Sequence, residues 1–334
     1  MKLAVHDLLS VKDKDSSLNT YNNTKELVKK LDKLGYHRYW FSEHHGMEQH
    51  ASTVPELLIA NLAGVTENIR LGTGGTMIMH YSPLRVAEMF KTLSALAGDR
   101  VDLGLGRAPG GDYHAILALV EGKYTEQDLY LKMEEILAFL KDESPKGELY
   151  QKIKAVPTHP GSLAEPWMLG STGNSARRGA HMGLGYSFAK FFSIETPLEV
   201  FKMYKEEFKP SVFFEKPVVS VSYKILVADN KDELEYLSKP FEMTHVASRK
   251  GLQLPILNPE EVRDHRFSDF DQKQIEYDYK KNFIVKGTKE EVEEILCKEI
   301  ETYCIDELMF YTPLYDQEKR YNSYKLLHEI FDGK

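Results

Sequence analysis

The chain has 334 residues, 42% hydrophobic and 28% charged, which is enough apolar material for a buried core and argues against disorder. Its net charge of −8 and pI near 5.9 disfavour a nucleic-acid partner, which needs a basic surface. No apolar run approaches a membrane span, and residues 1–7 lead into strand-like sequence without signal-peptide features, so a soluble cytoplasmic protein with no membrane partner is expected.

A short strand over residues 3–5 comes first, followed by Asp7. Leu27, Val28, Leu31 and Leu34 recur at helical spacing over 23–34, and Gly35 closes that helix. Tyr39-Trp40-Phe41 forms a second strand, residues 55–65 a helix with Pro55 in its first turn, and residues 69–75 a third strand. An amphipathic helix over 83–96 leads to a fourth strand over 101–105. Such alternation implies right-handed crossovers and a parallel sheet.

The pattern then loosens. Helices are expected at 112–119 and 126–140, and a loop rich in proline at 141–160. Strands at 167–170, 185–189 and 218–227 alternate with helices at 174–182, 197–208 and 231–248. Residues 252–281 are polar and irregular and read as an insertion, either a lid or a surface segment, because they lack the apolar residues for a core of their own. Thr288 and Glu291 form a capping box that opens a helix to residue 303, an eighth strand covers 306–310, and the last helix covers 319–331. Eight strands, each followed by a helix, predict an α/β fold, a (β/α)₈ TIM barrel with insertions, over residues 1–334 as one domain. A doubly wound open sheet is the alternative, disfavoured because unusual residues end several separate strands. Cys297 and Cys304 are seven residues apart on a predicted helix, about 10 Å along its axis, too far for a disulfide, and read as reduced thiols.

Chemistry concentrates at strand ends. Glu43-His44-His45 admits an acid–base histidine oriented by Glu43, a metal site, or a histidine that merely bonds a loop. Gly74-Gly75 is either a flexible turn or a backbone left open for a flat ligand. Arg107, after Gly104-Leu105-Gly106, suits a phosphate or an ordinary carboxylate partner. A dinucleotide fingerprint is excluded, since Gly104, Gly106 and Gly110 give GxGxxxG and Pro109 interrupts the helix start. Gly170-Ser171-Thr172-Gly173-Asn174-Ser175 opens a helix; three hydroxyls in five residues favour an anion site over a plain N-cap.

Taken together these stretches resemble the bacterial-luciferase-like family of flavin-dependent monooxygenases. The likeness also covers Ser82-Pro83-Leu84-Arg85-Val86-Ala87-Glu88, Gly287-Thr288 and Asp306-Glu307-Leu308-Met309, and is densest over residues 1–190. It implies FMN bound at the C-terminal mouth of a TIM barrel, His44 as the catalytic histidine, and a non-prolyl cis peptide at Gly74-Gly75 beside the flavin ring. Gly106, Arg107, Gly170, Ser171, Thr172 and Ser175 fall on cofactor positions, with Arg107, Thr172 and Ser175 toward the phosphate. Tyr81, Phe188 and Phe191 are candidates to line the mouth and say only that a small substrate would be partly apolar. A separate flavin reductase would supply reduced FMN, no nicotinamide motif being visible, and helices near 55–66 and 83–96 would form a homodimer. Gly106 stands where the light-emitting subunit has a reactive cysteine and Ser171 where it has glutamate, and both departures speak against light emission. Competing expectations are a deazaflavin-dependent dehydrogenase on the same barrel, a flavin-binding protein without turnover, and a metallohydrolase using Glu43, His44 and His45, which ranks last.

Overall fold

A computed structural model describes residues 1–122, 128–192 and 198–333. Residues 126, 127 and 197, expected to begin two helices, lie outside the described residues. In chain order the elements are β1 (Lys2–Asp7), α1 (Ser17–Leu34), β2 (Arg38–Phe41), α2 (Pro55–Ala63), β3 (Arg70–Met77), α3 (Pro83–Ala97) and β4 (Val101–Gly106). Then follow α4 (Tyr113–Leu119), α5 (Leu129–Leu140), β5 (Glu165–Gly170), α6 (Gly173–Met182), β6 (Gly185–Ala189), α7 (Leu198–Glu207), β7 (Val219–Val227) and α8 (Lys231–Arg249). The chain closes with α9 (Pro259–Val262), α10 (Asp269–Lys280), β8 (Ile284–Gly287), α11 (Lys289–Tyr303), β9 (Glu307–Tyr311) and α12 (Gln317–Phe331).

Strands β6-β5-β4-β3-β2-β1-β9-β7 pair in parallel in that order, and β7 returns to β6, closing an eight-stranded (β/α)₈ barrel. The ninth strand, β8, corrects the expected count. It pairs with Lys224–Val227 of β7, beyond the stretch Val219–Ser222 that pairs with β6. Residues 252–281 are also more regular than their composition promised, since they contain α9 and the twelve-residue α10. Ser268 caps α10 by accepting from the Asp271 N–H, and buried Ile275 anchors it. The expected capping box at α11 is present, the Thr288 N–H donating to Glu291 at 3.0 Å. Cys297 is half-buried and Cys304 exposed, and neither is in a disulfide.

Alternation along each strand sets the layers. In β2, Tyr39 and Phe41 face the helices within the main core, whereas Trp40 points inward and packs edge-to-face on Trp167. Below these indoles, at the N-terminal end, lies a buried ion cluster. Arg38 reaches Asp102 at 2.6 Å, Glu307 at 2.6 Å and Glu165 at 3.1 Å, and Arg70 also reaches Asp102. Burial alone would raise the Asp102 carboxyl, but Arg38 and Arg70 outweigh it and hold it below the usual range; burial pushes Glu307 up. This end of the barrel is therefore closed by indoles and charge. Among the described residues no helix is long and apolar enough to cross a membrane.

Candidate active site

The opposite end is open. A cavity of about 330 Å³ sits at the C-terminal mouth, a size common for small-molecule sites. His44, Gly74, Gly75, Gly106, Arg107, Gly170, Ser171 and Thr172 all line it. Ser175 does not: its side chain is buried behind the cavity and its Oγ donates to the Thr172 carbonyl at 2.8 Å. Of the aromatics expected to line the mouth, Phe188 instead packs outward on Phe201, and Tyr81 donates to Glu43 at 2.6 Å. Phe191 borders a neighbouring smaller pocket, and the exposed Phe192 borders both.

β3 and β4 supply one wall. The Gly74–Gly75 peptide is cis. A Cβ on Gly75 would meet the Gly104 carbonyl oxygen at 2.7 Å, so the approach of β3 to β4 already demands glycine there. The same holds at Gly170, where a Cβ would fall 2.2 Å from the Ser175 hydroxyl.

Arg107 and α6 form the polar rim. Thr172 is the N-cap of α6, yet no side chain caps the helix, which leaves the first-turn N–H groups open toward the rim. The Arg107 guanidinium lies 4.9 Å from the Tyr130 ring, and Arg178 lies 5.0 Å from the same ring. Arg107 Nε is buried and has no hydrogen-bond partner among the described residues. The rim thus has one cation in Arg107, one open helix terminus and the hydroxyls of Ser171 and Thr172, an arrangement that fits a phosphate.

Glu43 does not orient His44. It accepts from Tyr81, from the Met77 N–H at 2.8 Å, and pairs with His45 at 2.8 Å. Glu43, His44 and His45 therefore do not converge, and the described residues hold no group of three His, Cys, Asp or Glu placed for a metal. His44 stacks on His50, with ring centroids 4.7 Å apart, and its Nδ1 is buried without a hydrogen-bond partner among the described residues. Burial, with His50, His6 and His45 nearby, lowers its pKa to about 3, so the imidazole is neutral near pH 7.

Sequence reasoning missed the floor of the cavity: His6, Ser42, Ser187 and Ser222. His6 Nε2 lies 2.6 Å from the Gly74 carbonyl and 3.0 Å from Ser42 Oγ, and burial lowers its pKa to about 4. The available signal was the alternation of β1, which sends Leu3 and Val5 outward and Ala4 and His6 inward.

The luciferase-like monooxygenase model matches residues 1–304. The chain belongs to the luciferase-like monooxygenase family. It is a flavin-dependent monooxygenase of that family. Uncharacterized protein YceB of Bacillus subtilis is 36% identical over 330 residues, covering 98% of this chain and 99% of that protein. The N-acetyl-S-alkylcysteine monooxygenase of the same organism is 31% identical, covering 98% of each chain. Among solved structures, apo-MsnO8 superposes with a TM-score of 0.89 at 30% identity, covering 100% of this chain and 99% of that one. The barrel is also shared with two more distant enzymes. One is the FMN complex of the oxygenating constituent of 3,6-diketocamphane monooxygenase from Pseudomonas putida, with TM-score 0.70, 18% identity, and coverage of 98% and 97%. The other is an F420-dependent secondary alcohol dehydrogenase, with TM-score 0.66, 16% identity, and coverage of 99% and 98%.

Proposed function

We propose that this family member uses reduced FMN and O₂ to oxidise a small, partly apolar organic molecule. The observation that supports this reading is a single cavity holding an anion-suited rim, a flat glycine wall and a neutral, unpartnered histidine. The rim residues Arg107, Ser171 and Thr172, with the open α6 terminus, would hold the phosphate. The Gly74-Gly75 and Gly106 backbone would lie beside the ring system, with Ser175 supporting the Thr172 turn from behind. Bound reduced FMN would supply the oxidising chemistry by reacting with O₂. Met77, Ala108, Leu169, Ala189 and Phe192 contribute apolar surface that keeps water from the reacting centre. On this reading His44 enters the reaction as a neutral imidazole and assists proton transfer within the cavity.

On the same reading a separate flavin reductase delivers the reduced cofactor. The protein is a homodimer through α2 and α3, where Leu57 and Leu96 are 68% and 67% exposed. Two unpaired cysteines suit the reducing cytoplasm. The test is a pair of experiments. Fluorescence titration with FMN and with a deazaflavin identifies the cofactor, and photoreduced FMN with O₂ is then screened against aldehydes, alkanes and sulfur compounds. FMN binding with oxygen-dependent product supports the proposal. Preference for the deazaflavin with hydride transfer in the absence of oxygen, or FMN binding without any turnover, rejects it.

A further inference from the structure

Beside the mouth, between the ends of β7, β9 and β1, is a second pocket of about 60 Å³, bordered by Phe191 and Phe192. Its polar lining among the described residues consists of Lys224, His245, Ser10, His50 and Gln253, with further hydroxyls from Thr244, Ser248 and Tyr311, and no carboxylate.

Lys224 is the informative residue. Three lysines are buried among the described residues: Lys91, Lys190 and Lys224. Lys91 pairs with Asp142 at 2.5 Å, and Lys190, at the end of the neighbouring β6, pairs with Glu299. Lys224 has no such partner among the described residues; its Nζ donates only to the Phe241 carbonyl at 3.2 Å and to Thr244 Oγ1 at 3.0 Å. Nearby acids are engaged elsewhere. Asp278 is held by His245, Arg249 and Gln274, Glu242 by Lys286 and Tyr279, and Asp7 by Arg320 and Tyr39. Burial lowers the Lys224 pKa to about 7, as expected of an ammonium without a counter-ion. An opposite charge brought to it would hold it protonated.

The pocket adjoins the cavity and is fixed to it. Tyr311 and Ser10 hydroxyls are 2.9 Å apart, Ser10 lies 3.4 Å from His50 Nδ1, and His50 stacks on His44. The segment carrying Gln253 is pinned where the Ile256 N–H donates to Val11 and its carbonyl accepts from Asp13, both at 2.9 Å. The phosphate rim, at the ends of β4 and β5, is on the far side of the barrel.

We infer that this pocket holds the carboxylate of the substrate, with Lys224 as its counter-ion, so that the molecule oxidised is a small organic acid whose apolar part extends past Phe192 into the mouth. That the bound acid is a substrate rests on the flavin monooxygenase reading; that the pocket binds a carboxylate does not.

The experiment is isothermal titration calorimetry of the full chain with hexanoate and its neutral counterpart hexanamide, with and without saturating oxidised FMN. Hexanoate is expected to bind about tenfold or more tighter than hexanamide. Lys224→Met should abolish that preference while changing the FMN dissociation constant by less than about twofold. A purely structural Lys224 would leave the preference intact. Gln253→Glu, on an exposed segment, should weaken hexanoate selectively and decides the matter alone if Lys224→Met does not fold. Equal binding of acid and amide, no binding of either up to about 20 mM, or a preference that survives the variants overturns the inference. An acid preference in a protein that binds no FMN supports the pocket and sinks the FMN reading instead.

Discussion

The two ends of this barrel treat buried polar groups in opposite ways. At the N-terminal end Arg38, Arg70, Asp102, Glu165 and Glu307 are bound to one another, and the indoles of Trp40 and Trp167 cover them. Glu307 Oε2 accepts no hydrogen bond there, but its carboxylate is ion-paired with Arg38. At the C-terminal end His44 Nδ1, His6 Nδ1, Arg107 Nε and Ser222 Oγ are buried with neither a hydrogen-bond nor an ion-pair partner among the described residues. Burying an unpaired polar atom costs roughly 1–3 kcal/mol, so such atoms are not kept for stability. The contrast teaches that stability is stored at one end and binding capacity at the other, on the same eight strands.

Four measurements would break or sharpen that contrast. The largest expected effect is at the closed end. Asp102→Ala leaves Arg38 and Arg70 facing Glu165 and Glu307 alone and should cost about 3–5 kcal/mol in urea denaturation. A loss below about 1 kcal/mol would erase the distinction between the ends. At the open end, His44→Ala should lower kcat by roughly 10²–10⁴-fold, while its denaturation midpoint stays near that of the parent protein. A midpoint that falls in step with activity would make His44 a structural residue.

Arg107→Ala comes next and should weaken FMN binding about tenfold or more, read by quenching of flavin fluorescence. Unchanged affinity would remove the phosphate from this rim. The smallest effect is on pH dependence. His6 and His44 have folded pKa values lowered to about 4 and about 3, against 6.5 for the free side chain. Between those values the unfolded chain binds protons that the folded chain does not, so their contribution is full above pH 6.5 and is lost as pH falls. Each histidine should add a slope of up to about 1.4 kcal/mol per pH unit near pH 5. His6→Gln should flatten the urea midpoints measured between pH 7 and 5, and an unchanged or steeper slope would contradict the burial of His6.

Much of the barrel was legible because its first half alternates strand and helix with little interruption. β8 was not, because four residues, Ile284-Val285-Lys286-Gly287, between two helices give too short a pattern to separate from a loop. α10 was hidden by its polarity, since Ile275 and Asp278 are its only buried side chains. At the site, glycines and hydroxyls at strand ends marked the rim, but the glycines answer first to the packing of β3, β4 and α6. Lys224 and His6 were visible in principle. In β7, Val219, Val221, Tyr223 and Ile225 belong to the outer core, so Ser220, Ser222 and Lys224 had to face in. His50 could not be read from spacing. It reaches His44 because the loop after β2 returns to β1, where the Ala51 N–H donates to the Leu9 carbonyl at 2.9 Å.

The divided pairing of β7 carries a consequence for variation within this architecture. Its first half seals the cylinder against β6 and β9, and its last residues leave that circle to hold β8. The stretch between α8 and β8 is held by this fork and by the Ile256 backbone bonds to Val11 and Asp13. Length and sequence there can drift without opening the cylinder, and a swap of that stretch between relatives would exchange the lining beside Lys224 while leaving the Arg107 rim as it was.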